Sequence, residues 1–212
     1  MLATLFRSLC ALCVGALLLS SGAHAQALAA PDETIRVMST QILDRIKTDK
    51  ELREGDLRKL AQFVDETIMP GVNFERMTAL SVGRSWRQAS PEQQKALMAE
   101  FRALLIRTYA GALSAVKDQQ VRVKPLRAGA DDAEVIVRTE IIQSRADPIQ
   151  LDYRMEKAPS GWKIYDLNVM GVWLVETYRN QFSQEISARG IDGLIKSLAD
   201  RNKTFSQGGA KS

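Results

Sequence analysis

The spacing of apolar residues changes twice along the chain, and this change limits the fold more than any other feature of the sequence. Between residues 121 and 169 the apolar residues recur with a period of two, whereas the flanking stretches follow a helical period. The alternating segments are residues 121–124, 134–141, 149–156 and 162–169. Short connections join them, so they predict an antiparallel meander with one polar and one buried face.

The stretch before the strands predicts helices. Apolar residues recur at intervals of three and four from Ile35 onwards. The clearest helix begins at Ser90, where Pro91 takes the first helical position and Gln93 completes a capping box. Its wide apolar stripe predicts a helix that continues to about Lys117.

Helical spacing returns after the strands. Val172 and Val175 open a predicted helix that ends at Gly190, and a last helix is predicted over residues 192–202. The order of elements is helices, strands, helices. This order predicts an α+β domain with a curved antiparallel sheet of about four strands and helices packed on one face.

The N-terminal segment has the pattern of a cleaved signal peptide. A basic start precedes a short apolar run, and the run is followed by the A-x-A sequence Ala23-His24-Ala25. We therefore expect residues 1–25 to be removed, residues 26–202 to form one domain, and residues 203–212 to be a disordered tail. The mature protein is expected to be an exported monomer that begins near Gln26.

Removal of this segment would exclude several kinds of site. Cys10, Cys13 and His24 are the chain's only cysteines and histidine, and all three lie in it. Residues 26–212 therefore offer no Ser-His-Asp or Cys-His catalysis, no disulfide and no soft ligand for zinc. The net charge of +4 is spread among interspersed acidic residues and predicts no nucleic-acid binding.

Several stretches together resemble one protein family. They are Ser90-Pro91-Glu92-Gln93, Leu151-Asp152-Tyr153-Arg154-Met155, Gly161-Trp162-Lys163-Ile164-Tyr165-Asp166-Leu167, Tyr178-Arg179-Asn180-Gln181-Phe182 and Gly190-Ile191-Asp192-Gly193-Leu194-Ile195. Their order and spacing are similar to those of the MlaC family, also called toluene-tolerance auxiliary proteins. The resemblance covers roughly residues 60–202. It departs from the family at Trp173, where the family usually has serine, and at Val82, where it usually has leucine.

The resemblance implies a fold and a function. The fold is an NTF2-like cone with extra helices around a deep apolar pocket. The function is that of a soluble periplasmic carrier, not an enzyme, which moves glycerophospholipid between membranes and so maintains the lipid asymmetry of the outer membrane. The implied partners are an inner-membrane ABC transporter complex with its MCE-domain component and an outer-membrane lipoprotein complex. Phospholipid is the cargo, and no cofactor or metal is implied.

The resemblance also implies which residues contact lipid. The two main walls of the family pocket correspond to the long helix that follows Ser90 and the strand that carries Leu151, Tyr153 and Met155. The predicted lipid-binding residues are Phe101, Leu104, Leu105, Tyr109, Val137, Ile141, Leu151, Tyr153, Met155, Leu167, Val169, Val172 and Trp173. Arg154 and Arg179 are the head-group candidates, because a guanidinium group presents a planar fork to phosphate oxygens.

Two other functions are open at this point. Asp166 lies on a predicted strand and could act as the general base of a small isomerase or dehydratase in a cone-shaped pocket. Its alternative role is structural, with Arg179 or a backbone amide as its partner. A periplasmic chaperone or adaptor that binds peptides in an apolar groove is the other possibility.

Overall fold

The computed structural model describes residues 29–129, 131–144 and 146–208. The predicted signal peptide, residues 1–25, lies outside the described residues, as do residues 209–212. Six α-helices are described: α1 Pro31–Thr48, α2 Lys50–Arg53, α3 Leu57–Phe63, α4 Phe74–Val82, α5 Pro91–Ser114 and α6 Leu174–Gly208. A π-helical turn, Val64–Ile68, and 3-10 turns at Met69–Gly71 and Gly83–Gln88 connect α3, α4 and α5.

The strands form one antiparallel sheet in chain order. Its strands are β1 Gln120–Val123, β2 Glu134–Gln143, β3 Ala146–Ala158, β4 Gly161–Val169 and β5 Val172–Trp173. Neighbours in sequence are neighbours in the sheet, so the predicted meander and the α+β class are confirmed. The sheet has a fifth strand of two residues, which the sequence did not predict.

This fifth strand corrects the prediction for the segment after Gly171. Val172 and Trp173 were predicted to open a helix, but they pair with Val169 and Asn168 of β4. Met170 and Gly171 both have positive φ, 51° and 91°, as a two-residue type I′ hairpin requires. The hairpin turns the chain back along β4 for two residues, and α6 begins only at Leu174.

Helix α5 starts as its sequence predicts. The Ser90 hydroxyl accepts the Gln93 backbone N–H, and the Gln93 side chain accepts the N–H of Ser90. This reciprocal pair satisfies two N–H groups that would otherwise lack partners at the helix start. The helix ends at Ser114, slightly before the predicted Lys117.

Helix α6 is interrupted at the predicted position. Gly190 has φ 70° and ψ −175°, which breaks the helical path and divides α6 into two segments. The second segment extends to Gly208, although the sequence predicts a disordered tail from Lys203. None of the helices in the described part of the chain is long and apolar enough to cross a membrane.

Two parts of the core flank the region where α5, α6 and the sheet meet. In the first, Phe101 of α5 packs edge-on against Tyr178 and Phe182 of α6, with ring centroids 4.8 and 5.2 Å apart. In the second, Ile35 of α1 covers the apolar face of β2 and β3. Full burial of such side chains contributes about 1.5–3 kcal/mol each, so these contacts hold α5 and α6 together and α1 on the sheet.

Candidate functional site

A cleft of about 270 Å³ lies between α5, the start of α6 and the second segment of α6. Most of its lining is apolar or aromatic. The lining residues are Leu104, Thr108, Tyr109, Val172, Leu174, Thr177, Tyr178, Gln181 and Arg201. The break at Gly190 lets both segments of α6 line one cleft, because a straight helix could not bring Arg201 back beside Gln181.

The polar groups of the cleft differ in whether they have a partner, and the hydroxyl of Tyr178 interacts with Thr108. The hydroxyls of Thr108 and Thr177 donate to backbone carbonyls one turn earlier in their own helices, at 2.8 and 2.9 Å. Tyr109, Gln181 and Arg201 make no hydrogen bond or ion pair with the described residues. We call these three residues the donor group, since each has N–H or O–H groups without a partner in the described structure.

Burial affects the two tyrosines of the cleft. It raises the pKa of Tyr109, which is half-buried, and also that of Tyr178, which is buried. The nearby Tyr109 adds to the shift in the pKa of Tyr178, whereas Thr108 and the Arg201 guanidinium oppose it. Both phenols therefore stay protonated at neutral pH and can donate hydrogen bonds.

An apolar stripe on the sheet adjoins the cleft. Val172 pairs with Val169, and Val169 pairs with Leu151, so the three side chains point to the same face. Ile141 extends this face on β2. All four residues are half-buried or exposed, and Val172 is 54% exposed. We call them the open stripe, because the core covers them only in part.

The rest of the same face is closed. Val137, Tyr153 and Met155 are buried in a cluster with Ile35 of α1, and Leu167 packs against its edge. The predicted lipid-binding residues are thus divided among the closed face, the open stripe, the cleft and the core. Leu104, Tyr109 and Val172 line the cleft, and Phe101 and Leu105 belong to the core beside it.

Trp173 lies away from the cleft. It follows Val172 in β5, so alternation points it to the opposite face of the sheet. There the guanidinium carbon of Arg154 lies 3.9 Å from the centre of a Trp173 ring, a cation–π contact. The large Trp173 side chain therefore takes no volume from the cleft.

Asp166 has a structural environment. Its carboxylate is fully buried and accepts the N–H groups of Leu167 and Val175 at 2.9 and 3.0 Å. Arg154 donates to the other oxygen at 2.9 Å. Burial raises the pKa of Asp166, while the Val175 amide and Arg154 oppose the rise. The predicted backbone partner is confirmed, but Arg154 takes the place predicted for Arg179.

These contacts bear on the role of Asp166 and Arg154. Asp166 is not among the described lining residues of the cleft, so it cannot reach a ligand held there. Arg154, a head-group candidate, is already committed to Asp166 and to the Trp173 ring. Arg179, the other candidate, is exposed and lies next to Gly83, also outside the cleft.

A second charge network lies near Asp166. Arg76 of α4 bonds to Glu156 and, at 2.6 Å, to Glu134, and its guanidinium carbon lies 3.8 Å from the ring centre of Tyr165. The Tyr165 hydroxyl donates to Glu134 at 2.9 Å. This network ties α4 to β2, β3 and β4. The described residues include no group of three or more Cys, His, Asp or Glu that could hold a metal ion.

Sequence reasoning missed most polar residues of the cleft. Thr108, Thr177, Gln181 and Arg201 were not predicted, and neither was Leu174. Tyr178 and Gln181 lie in a stretch that carries the family resemblance, which was the one available signal. Arg201 had none, since its place depends on the path of α6 after Gly190.

Comparisons with known proteins agree on one family. The family model described as MlaC protein matches residues 36–200. The intermembrane phospholipid transport system binding protein MlaC of Haemophilus influenzae is 26% identical, over 76% of this chain and 79% of that protein. The toluene tolerance protein ttg2D of Pseudomonas putida is 22% identical, over 76% of this chain and 75% of that protein.

A solved structure gives the same result for the fold. It is a phospholipid-binding protein from Ralstonia solanacearum in complex with a phospholipid. It shares 47% identity with this chain and superposes with a TM-score of 0.81, covering 84% of this chain and 99% of that one. With the family model matched over most of its length, this chain belongs to the MlaC family.

Proposed function

We propose that this protein binds glycerophospholipid by its acyl chains and carries it between two membranes. The observation that carries the proposal is the cleft with its adjoining open stripe, in a chain whose fold matches that of a structure solved with a phospholipid. The name of the relative from Haemophilus influenzae, a phospholipid transport system binding protein, supports a role in transport over one in catalysis.

The physical demand on such a carrier is large. Two acyl chains contain roughly 30 methylenes, and exposing them to water costs on the order of 20 kcal/mol. A carrier must cover nearly all of this surface. Its net preference over a bilayer can nevertheless be small, because the chains are already dry in the membrane. The direction of transport is then set by the partners and not by the carrier.

The size of the cleft implies that loading requires movement. Pockets for drug-sized ligands measure roughly 300–1,000 Å³, and a two-chain lipid is larger than most such ligands. A cleft of about 270 Å³ is too small for both chains. The second segment of α6 is separated from the first by Gly190 but packs into the core through Leu194 and Leu198, so its displacement would break those contacts.

The setting of this function is also a proposal. We infer a periplasmic monomer that exchanges lipid with an inner-membrane ABC transporter complex and its MCE-domain component, and with an outer-membrane lipoprotein complex. The name of the relative from Haemophilus influenzae, an intermembrane transport binding protein, supports this setting. Exchange with such partners would maintain the lipid asymmetry of the outer membrane.

One experiment tests the binding function directly. The protein is purified without detergent and extracted with organic solvent, and the extract is analysed by mass spectrometry. We expect about one glycerophospholipid per protein molecule. An extract that contains a small metabolite would favour the isomerase hypothesis. One that contains neither lipid nor metabolite would favour the chaperone or adaptor hypothesis.

A matched pair of variants tests whether the lipid occupies the cleft. Val172→Asp places a carboxylate at the lining, where an unpaired charge against acyl chains costs several kcal/mol. Val37→Asp is the control, because Val37 is a comparably exposed valine on α1. We expect Val172→Asp to lose most of its co-purified phospholipid and Val37→Asp to keep it. Equal loading of both folded variants would place the lipid elsewhere.

A further inference from the structure

We infer that Arg201, with Gln181 and Tyr109, binds the phosphodiester group of the lipid at the edge of the cleft. This inference rests on the proposed function and adds to it the residues that hold the head group. The lipid would then be held at two places, with its phosphate at the donor group and its acyl chains along the apolar lining and the open stripe.

The first observation is the charge of the cleft. Among its described lining residues Arg201 is the only ionised side chain at neutral pH, and there is no acidic one. Arg201 also forms no ion pair with any acidic side chain in the described ranges, although it neighbours Asp200, which pairs with Lys196. The cleft thus carries an uncompensated positive charge, which favours an anion.

The second observation is the set of available hydrogen-bond donors. The hydroxyl protons of Thr108 and Thr177 are used within their helices, so they are not free for a ligand. Those of the Arg201 guanidinium, the Gln181 amide and the Tyr109 phenol have no acceptor in the described structure. A phosphodiester presents two charged oxygens that only accept, which matches a site made of donors.

The third observation is the position of these donors. Arg201 and Gln181 are exposed, Tyr109 is half-buried, and Leu104 and Leu174 on the inner side of the lining are buried. Two of the donors thus lie on the exposed side of the cleft and two of its leucines on the buried side, with the apolar Val172 also exposed. A glycerophospholipid has the same polarity along its length, with a hydrated phosphate at one end and acyl chains at the other.

The test compares lipids that differ only in the phosphate. Delipidated wild-type protein is titrated with dioleoyl-phosphatidylglycerol and with dioleoylglycerol, each in competition with a fluorescent phospholipid. The variant is Arg201→Gln, which keeps a polar side chain and removes the charge. The control is Arg179→Gln, which removes an exposed arginine of the same helix outside the cleft. Thermal unfolding confirms that both variants are folded.

The expected result is a selective loss. Arg201→Gln should weaken binding of the phosphatidylglycerol about tenfold, as expected for loss of a charge-assisted hydrogen bond, and leave binding of dioleoylglycerol unchanged. Arg179→Gln should change neither. Equal effects of the two substitutions would mean general electrostatic attraction and would overturn the inference, as would an unchanged Arg201→Gln. Failure of wild-type protein to bind either lipid would instead contradict the proposed function.

Discussion

Arginines occupy opposite surroundings in two regions of this molecule. On one side of the sheet Arg154 bonds to the buried Asp166 and stacks on Trp173, while Arg76 bonds to Glu134 and Glu156. In the cleft, Arg201 has no such partner among the described residues. The first region uses its charges to hold elements together, and the second leaves its charge available.

Whether an arginine already has an acidic partner therefore indicates its role better than the residue type alone. Arg154 was a head-group candidate because it is an arginine on a pocket strand, yet its guanidinium is already engaged. A paired guanidinium would have to break existing hydrogen bonds to bind a phosphate, and that loss offsets the gain. An unpaired one at the edge of an apolar cleft does not have this cost.

The largest effect is expected at Asp166. Asp166→Ala leaves the N–H groups of Leu167 and Val175 without their acceptor and Arg154 without its counter-ion. Since Val175 lies in the first turn of α6, the change loosens the start of that helix. We expect a loss of about 3 kcal/mol in the free energy of unfolding, measured by urea denaturation.

Asp166→Asn is the control for this prediction. The amide oxygen can still accept the two backbone N–H groups, whereas the ion pair with Arg154 is lost. We expect it to lose clearly less stability than Asp166→Ala and to bind phospholipid normally. An alanine variant as stable as the wild type would show that this region does not depend on its charges.

Trp173→Ser should have the next largest effect. It removes a cation–π contact and a half-buried indole, so we expect a loss of about 1–2 kcal/mol in the free energy of unfolding. Since the ring lies on the face opposite to Val172, the chain-length profile of bound lipid, read by mass spectrometry, should not change.

Fluorescence provides an independent check on Trp173. The chain has three tryptophans, so a variant with Trp86 and Trp162 replaced by phenylalanine keeps Trp173 alone. Its emission maximum should stay constant when phospholipid is added. A clear shift on loading would place the ring beside the lipid, contrary to the register of β5.

The sequence predicted the fold well wherever periodicity extends over many residues. The alternation in residues 149–156 and the capping box at Ser90 appear in β3 and α5 as predicted. The two-residue strand β5 was missed because Val172 and Trp173 are too few to display a period. The pairing of Arg154 with Asp166 depends on a register shift between Arg154 and Met155, which no local pattern indicates.

The site was less predictable than the fold, for a physical reason. Leu104, Tyr109 and Val172 were predicted from the family pocket, and they line the cleft. Arg201 enters the cleft only because α6 breaks at Gly190 and returns beside its own first segment. The sequence predicted the break from the glycine, but the direction of the chain after it is set by tertiary packing.

Met170→Asn should stabilise the protein, in contrast to Asp166→Ala and Trp173→Ser. Met170 has φ 51° and is 69% exposed, so its side chain packs against little while its backbone is unfavourable. Asparagine tolerates this conformation, and Asn-Gly is the preferred pair for a type I′ turn. We expect a gain of about 0.5–1 kcal/mol by urea denaturation.

The same variant tests why the strained residue is there. Met170 adjoins Val172 at the cleft, and strained residues tend to occur at functional positions. We expect Met170→Asn to take up phospholipid from vesicles more slowly than the wild type, as measured by transfer of a fluorescent lipid. A variant that is more stable and equally fast would remove Met170 from the functional region.

The smallest effect concerns how the stability contributed by Glu134, in its network with Arg76 and Tyr165, depends on pH. Hydrogen bonds from Arg76 and then Tyr165 lower the pKa of Glu134 in the folded protein. A carboxyl with a lowered pKa contributes stability above its unfolded value of about 4.3, and this contribution is lost as pH falls through the folded pKa. Glu134 is half exposed, so its contribution is about 0.5 kcal/mol or less.

Glu134→Gln should therefore reduce stability near neutral pH and have little effect below about pH 4, where the wild-type carboxyl is also uncharged. Urea midpoints measured across this range give the difference between the two proteins at each pH.

Arg201→Gln is the corresponding substitution in the cleft. Since Arg201 has no acidic partner in the described structure, its removal should leave the slope of stability against pH unchanged. A slope altered by Arg201→Gln would mean that the cleft arginine is paired after all, and the contrast between the two regions would fail.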